Sequence, residues 1–367
     1  MIRTVRSHLN VEALSHPGMT GKNNEDRYAV ASFQLDDHNK MPVLFAVLAD
    51  GIGGHRGGEV AAELSVNHIV QAVAKSDGRH IRSTIEDAVI EASDAVAAHA
   101  ASNEDLKGMG ATCATAWIVG DQLHTAYVGD SRIYLMRAGR IQQLTTDHTW
   151  VQEAMEKGIL TPEQARTHPN VHVIRRYLGS AEPPEPDFRL KWFDSEDDQH
   201  SENNQGVQLL PNDVLLLCSD GLTDLVWNDE ILEVVRSKSS LKEASRALVE
   251  LANSRGGHDN TTVILISVPS NFKLTAGKDS GWLPWVIGGV AGVLFIVVVG
   301  SVLAFGLLRR NTNATPTQTA TIPPLFTQTP LFQPTLPTPL PTTTIATQVP
   351  LPIAPTYTPW PTNTIIP

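Results

Sequence analysis

The sequence predicts an α+β chain: antiparallel sheets with helices packed on their outer faces. Three observations predict it. Short apolar runs stop at Asp-Gly or Gly-Asp pairs, as buried strands stop at turns. Two long stretches carry apolar residues at helical spacing. Strands then follow strands and helices follow helices, without the regular alternation of a parallel βαβ sheet. With 41% apolar residues in 367, the chain has the material for a core.

Residues 41–49 (MPVLFAVLA) read as a buried strand ending at Asp50-Gly51, after a shorter apolar stretch at 28–33. Residues 58–74 read as a helix with Val60, Leu64 and Ile69 on its apolar stripe. Residues 83–101 read as a second helix, opened by a Ser83/Glu86 capping box. Strands follow at 111–119, 123–128 and 132–137. Ala138-Gly139-Arg140 turns the chain into a strand at 141–144. Thr161 caps a helix with Pro162 in its first turn. The acidic stretch 194–205 reads as an exposed loop. A very apolar strand at 214–218 ends at Ser219-Asp220-Gly221, Ser240 and Glu243 cap a helix to about residue 254, and 261–267 is the last strand.

The formal charge of −11 and pI near 5.6 exclude a protein that works by coating nucleic acid. Cys113 and Cys218 sit in apolar runs and read as small buried hydrophobes in a reducing setting. The N-terminus, MIRTVRSHLN, lacks the apolar run of a signal peptide. The net acidity belongs to the part before about residue 280, and nothing after Arg310 is charged.

Residues 282–308 carry no charged side chain, which exceeds the roughly 20 apolar residues that cross a bilayer. Trp282 and Trp285 stand at one end and Arg309-Arg310 at the other. The expected organisation is a folded front domain at 1–270, a linker at 271–281, one transmembrane helix at 282–308 and a disordered Thr/Pro-rich tail at 309–367. Two basic residues flank each side of the span, so charge bias does not orient it. The missing export signal and the chargeless tail favour a cytoplasmic front domain at the cell membrane, with the tail outside. Gly288 and Gly292 would allow two spans to pack as a dimer.

The apolar strands share one ending. Asp50-Gly51, Gly129-Asp130 and Asp220-Gly221 close three of them, and Glu25-Asp26 and Asp259-Asn260 precede two others. A single Asp-Gly is a turn. A whole set of acids at the ends of buried strands needs partners, because buried charge is costly. No Lys or Arg stands beside them consistently. Hard divalent cations would solve the problem, and oxygen ligands select Mg²⁺ or Mn²⁺ over zinc.

Asn23-Asn24-Glu25-Asp26-Arg27, Ala49-Asp50-Gly51-Ile52-Gly53-Gly54-His55, Gly108-Met109-Gly110-Ala111-Thr112, Val128-Gly129-Asp130-Ser131-Arg132, Cys218-Ser219-Asp220-Gly221-Leu222-Thr223-Asp224 and His258-Asp259-Asn260-Thr261-Thr262-Val263 occur in this order. Together they resemble the bacterial metal-dependent protein phosphatases of the protein phosphatase 2C family, over about residues 8 to 268. The resemblance implies a four-layer α-β-β-α sandwich of two antiparallel sheets flanked by helices. It implies hydrolysis of phosphoserine and phosphothreonine in proteins by a metal-bridging hydroxide, opposing a serine/threonine kinase. The cofactor would be Mn²⁺ or Mg²⁺, two ions with room for a third. Asp50 would bridge two ions, with the Gly51 carbonyl on one. Asp220 and Asp259 would hold the first, and Glu25 the second, with Asp26 in support. Asp130 would add the third with Asp220, assisted by Asp224, and Asn260 would orient Asp259. Residues 149–179 match the family's variable flap, which influences substrate choice.

The sequence departs from the family at Gly21, where an Arg that grips phosphate commonly stands. Either phosphate is held less tightly, or Lys22, Arg27 or His55 compensates, and a lysine is a point charge rather than a bidentate fork. Ile52 occupies a position where some members carry a His, leaving His55 and His148 as candidate acids or as structural histidines. Two other readings fit the same residues: a catalytically weak, receptor-like phosphoprotein-binding module, and a hydrolase of a small phosphorylated molecule.

Overall fold

The computed structural model describes residues 1–53, 57–193 and 196–272. The strands are β1 (Ile2–Arg3), β2 (Asn10–His16), β3 (Arg27–Gln34), β4 (Pro42–Ala49), β5 (Gly51–Ile52), β6 (Gly110–Ala111), β7 (Cys113–Val119), β8 (Gln122–Val128), β9 (Arg132–Arg137), β10 (Arg140–Gln143), β11 (Val207–Gln208), β12 (Val214–Cys218) and β13 (Thr261–Ser267). The α-helices are α1 (Gly57–Lys75), α2 (Ile81–Ser102), α3 (Trp150–Glu156), α4 (Pro162–Arg166), α5 (Asp198–Asn203), α6 (Asp220–Thr223), α7 (Asn228–Ser237) and α8 (Leu241–Ser254). One sheet runs β1-β3-β4-β7-β8-β11 and the other β10-β9-β12-β13-β2, with every pairing antiparallel.

Side-chain parity builds the layers. On β4, Leu44, Ala46 and Leu48 point one way and Val43, Phe45, Val47 and Ala49 the other. The first set meets Ile133, Leu135, Leu215, Leu217, Ile264 and Ile266 of the opposite sheet. The second set packs with apolar residues of α1 and α2. On β12, Leu216 and Cys218 face α7 and α8 instead, among Ile231, Leu248 and Ala252. The result is α-β-β-α, as expected. Central strands covered on both faces read as unbroken apolar runs rather than alternating ones. Truncating a wholly buried residue such as Leu44 to Ala would cost about 2–5 kcal/mol.

Several boundaries follow their local signals. Ala138 and Gly139 both have positive φ (50° and 78°), the two-residue turn that joins β9 to β10. Thr161 and Gln164 form the capping box of α4, and the Ser240 hydroxyl accepts from the Glu243 N–H at 3.2 Å. Other expectations are corrected. α2 begins at Ile81, two residues before the expected cap, and the Ser83 hydroxyl instead donates to the His80 carbonyl at 3.3 Å. The stretch read as a loop at 194–205 contains α5, which Asp197 caps through the His200 N–H at 2.9 Å. α7 was not expected because Trp227 stands where a hydroxyl cap would be. Glu230 supplies the cap from inside the helix by accepting from the Trp227 N–H at 3.0 Å.

The expected linker, span and tail lie outside the described residues, apart from Asn271 and Phe272. Among the described residues, no helix is long and apolar enough to cross a membrane.

Candidate active site

Antiparallel register gathers the acids. The start of β3 lies beside the end of β4, with Arg27 opposite Ala49, so Glu25 and Asp26 come beside Asp50. The start of β13 lies beside the end of β12, with Val263 opposite Cys218, so Asp259 comes beside Asp220. β8 ends at Val128, opposite Cys113 at the start of β7, and delivers Asp130. The carboxylates feel one another. Asp50 is held well above the usual carboxylate range by burial, then by Asp26, Asp220, Asp130 and Asp259. Asp220 is likewise raised by burial, then by Asp130, Asp224, Asp259 and Asp26. Burial first, then Asp259, pushes Glu25 up to about 7, against the pull of Lys22. Burial and Asp147 push Asp130 up to about 7. Burial pushes Asp26 up to about 6.

The backbone around them is tightly fixed. Asn260 accepts from the Glu25 N–H at 2.7 Å, donates through its own N–H to Asp259 at 2.9 Å, and donates through its amide to the Pro17 and Asn23 carbonyls. It therefore locks Glu25 and Asp259 together, a wider role than the orientation of Asp259 alone. Ser219 donates to Asp26 Oδ2 at 2.8 Å. Thr112 accepts from the Asp50 N–H at 2.9 Å and shares a hydrogen bond with Ser131 at 2.7 Å. Thr112 and Ser131 appear in the sequence motifs, but nothing in the sequence places one hydroxyl against the other.

The residues fit hard divalent cations. Asp26 Oδ1 and Asp220 Oδ1 are buried without a hydrogen-bond partner. The donors are oxygens. Gly58 leaves room for Glu25, since a Cβ there would lie 2.5 Å from Glu25 Oε2. His172 joins Asp220 and Asp224 in a group whose ligand atoms lie within 4.8 Å of one another. It comes from the flap, far from both in sequence, and no spacing signal points to it. A cavity of about 280 Å³ separates Asp130 and Asp220 from the flap residues Val151, Met155 and Val171.

The other candidates divide clearly. Lys22 is exposed with its charge felt by Glu25. Arg27 is committed elsewhere, donating to the Asn24 and Asp26 carbonyls and pairing with Glu59. His55 lies outside the described residues. His148 is buried with both ring nitrogens bonded, to the Gly129 N–H and to Asp187, so it is the structural histidine of the two readings. Cys113 and Cys218 are buried, their thiols pushed up to about 12 by burial, so neither supplies a thiolate nucleophile.

Residues 18–259 match the family described as protein phosphatase 2C. The chain belongs to the protein phosphatase 2C family. It is 33% identical over 262 residues to the serine/threonine phosphatase stp of Listeria innocua, covering 70% of this chain and 95% of that one. It resembles the solved serine/threonine phosphatase of S. agalactiae with a TM-score of 0.62 and 33% identity, over 71% of this chain and 99% of that one. The catalytic domain of the serine/threonine phosphatase PstP, solved in complex with two manganese ions, matches with a TM-score of 0.58 and 33% identity, over 71% of this chain and 98% of that one.

Proposed function

We propose that the chain removes phosphate from phosphoserine and phosphothreonine in proteins with Mn²⁺ or Mg²⁺ held by its strand-end carboxylates. The observation that carries this reading is the cluster of mutually repelling acids, buried at Asp26 and Asp130 and half-buried at Glu25, Asp50 and Asp220, in which Asp26 and Asp220 each leave an oxygen unpartnered. Asp50, with the Gly51 carbonyl, would serve two ions; Asp220 and Asp259 would complete one site and Glu25 the other. Asp130 with Asp220 would hold a third, with Asp224 and His172 beside it. When bound, such ions supply a nucleophilic hydroxide near neutral pH and neutralise charge on the phosphoryl oxygens.

The chain's own residues prepare that chemistry. Asn260 and Thr112 fix the backbones of Glu25 and Asp50, so little reorganisation remains when phosphate arrives. Lys22 is the exposed cation at the site edge that would attract the phosphate as a point charge.

The uncharged run 282–308 supports a membrane anchor, and the chargeless tail after Arg310 supports its export, which would leave the phosphatase domain in the cytoplasm opposing a serine/threonine kinase. Gly288 and Gly292 would allow pairing of two such spans. Phosphate release from phosphothreonine peptides by the full chain, with Mn²⁺ and with EDTA, tests the activity. Manganese-dependent release abolished by EDTA is expected, and release unaffected by EDTA would refute the metal assignment. A C-terminal reporter enzyme active only outside the cell tests the orientation, and activity only inside would reverse it.

A further inference from the structure

His148 is 5% exposed and Asp187 7%. The imidazole accepts the Gly129 N–H at Nδ1, 3.1 Å away. An accepting Nδ1 places the proton on Nε2, which then donates to Asp187 Oδ2 at 3.1 Å. The His148 backbone grips the same glycine from the other side, its N–H donating to the Gly129 carbonyl at 2.9 Å. Gly129 immediately precedes Asp130. It has φ +102°, and a Cβ there would lie 2.6 Å from Thr112 Cγ2, the residue that also holds Asp50. His148 also roots the flap: its carbonyl accepts from the Arg175 N–H at 2.7 Å, and Thr149 bridges Ile174. Asp187 is held in turn by Arg189, which donates through Nε at 2.8 Å and Nη2 at 2.5 Å, and by a two-way backbone bridge to Tyr127. The Tyr127 ring stacks on His148 at 5.2 Å.

We infer that His148, with Asp187 fixing its tautomer, is a positioning residue that clamps the Gly129-Asp130 turn to the root of the flap. The inference rests on the proposed metal site. A second-layer group of this kind tunes metal affinity through the orientation of the ligand it supports. It also makes the turn bearing Asp130 and the two ends of the flap one mechanical unit, so an ion at Asp130 and the flap beside it are set together.

Two substitutions of the same residue separate this role from bulk stability. The Asn oxygen of His148→Asn falls near the place of Nδ1 and reaches Gly129 but not Asp187. The Gln amide of His148→Gln falls near the place of Nε2 and reaches Asp187 but not Gly129. Both lose the ring stacked on Tyr127, so their melting temperatures fall together. Mn²⁺ is titrated calorimetrically into the full metal-free chain. We expect His148→Gln to weaken the weakest Mn²⁺ site by about tenfold or more and His148→Asn by no more than about threefold. Equal losses in both variants, or none in either, would overturn the inference. No Mn²⁺ uptake by the wild type would instead overturn the metal site. Amide exchange of the wild-type chain provides a measurement that needs no variant. Segments 127–132, 148–150 and 173–175 should gain protection together on Mn²⁺ addition, and protection of the first without the others would overturn the inference.

Discussion

Replacing Asp130 by Asn should have opposite effects on the metal-free and the metal-loaded protein. Asp130 is buried, and burial and Asp147 raise its carboxyl from 3.8 to about 7, against the pull of Arg132, which is itself forked onto Asp147. A rise of about three units at 1.36 kcal/mol per unit sets a ceiling of about 4 kcal/mol for the cost of an ionised Asp130 without metal. Relaxation of the neighbouring acids reduces this, and about 2 kcal/mol is the expected gain from the neutral amide. For a domain of this size that raises the melting temperature by about 4 °C.

The sign of the pH dependence follows from the raised pKa. Folded wild type holds a proton on Asp130 that the unfolded chain gives up, so it loses stability as pH rises from about 4 to about 7. The amide has nothing to titrate. The advantage of Asp130→Asn should therefore be absent near pH 4 and complete by about pH 8. Urea unfolding of EDTA-treated protein at pH 5.5 and pH 8 measures it. With Mn²⁺ present the order should reverse, because the amide is a poor ligand for a hard cation. A variant less stable than wild type in EDTA at pH 8, or an advantage independent of pH, would refute the picture of an acid held out of water for a cation.

Asp50→Asn should abolish phosphopeptide hydrolysis while leaving the circular dichroism spectrum unchanged, and retained turnover would remove Asp50 from the site. Gly58→Ala should weaken Mn²⁺ binding without melting α1, since its Cβ would lie 2.5 Å from Glu25 Oε2 and 2.8 Å from the Gly51 carbonyl; calorimetric titration of the metal decides. Gly21→Arg should lower KM for phosphopeptides. A Cβ at Gly21 meets nothing within 4 Å, but φ of +73° makes the change cost about 1–2 kcal/mol of stability. An unchanged KM in the folded variant would mean that another group already grips the phosphate.

The sequence by itself determined the buried central strands and the acids at their ends, but not β2, whose half-buried residues form no apolar run. Runs such as 41–49 and 214–218 are apolar throughout because both faces of those strands are covered, and a carboxylate at the end of such a run is conspicuous. It also carried the caps of α4 and α8, where a hydroxyl and its N–H partner lie three residues apart. Two helices escaped: α7 starts at a tryptophan, and α5, though capped by Asp197, hides in an acidic stretch.

What tertiary structure alone decided is which residues support the acids. Antiparallel register brought Glu25 beside Asp50 and Asp259 beside Asp220, across separations no local pattern encodes. The sequence left His148 between a catalytic and a structural role. Burial, and partners at Gly129 and Asp187, settled it. Arg27 was drawn away to Glu59, and His172 arrived beside Asp220 from the flap. A ligand type is a property of one residue and is written in the chain. A hydrogen bond between residues 39 or 235 positions apart exists only once the strands have paired and the layers have closed.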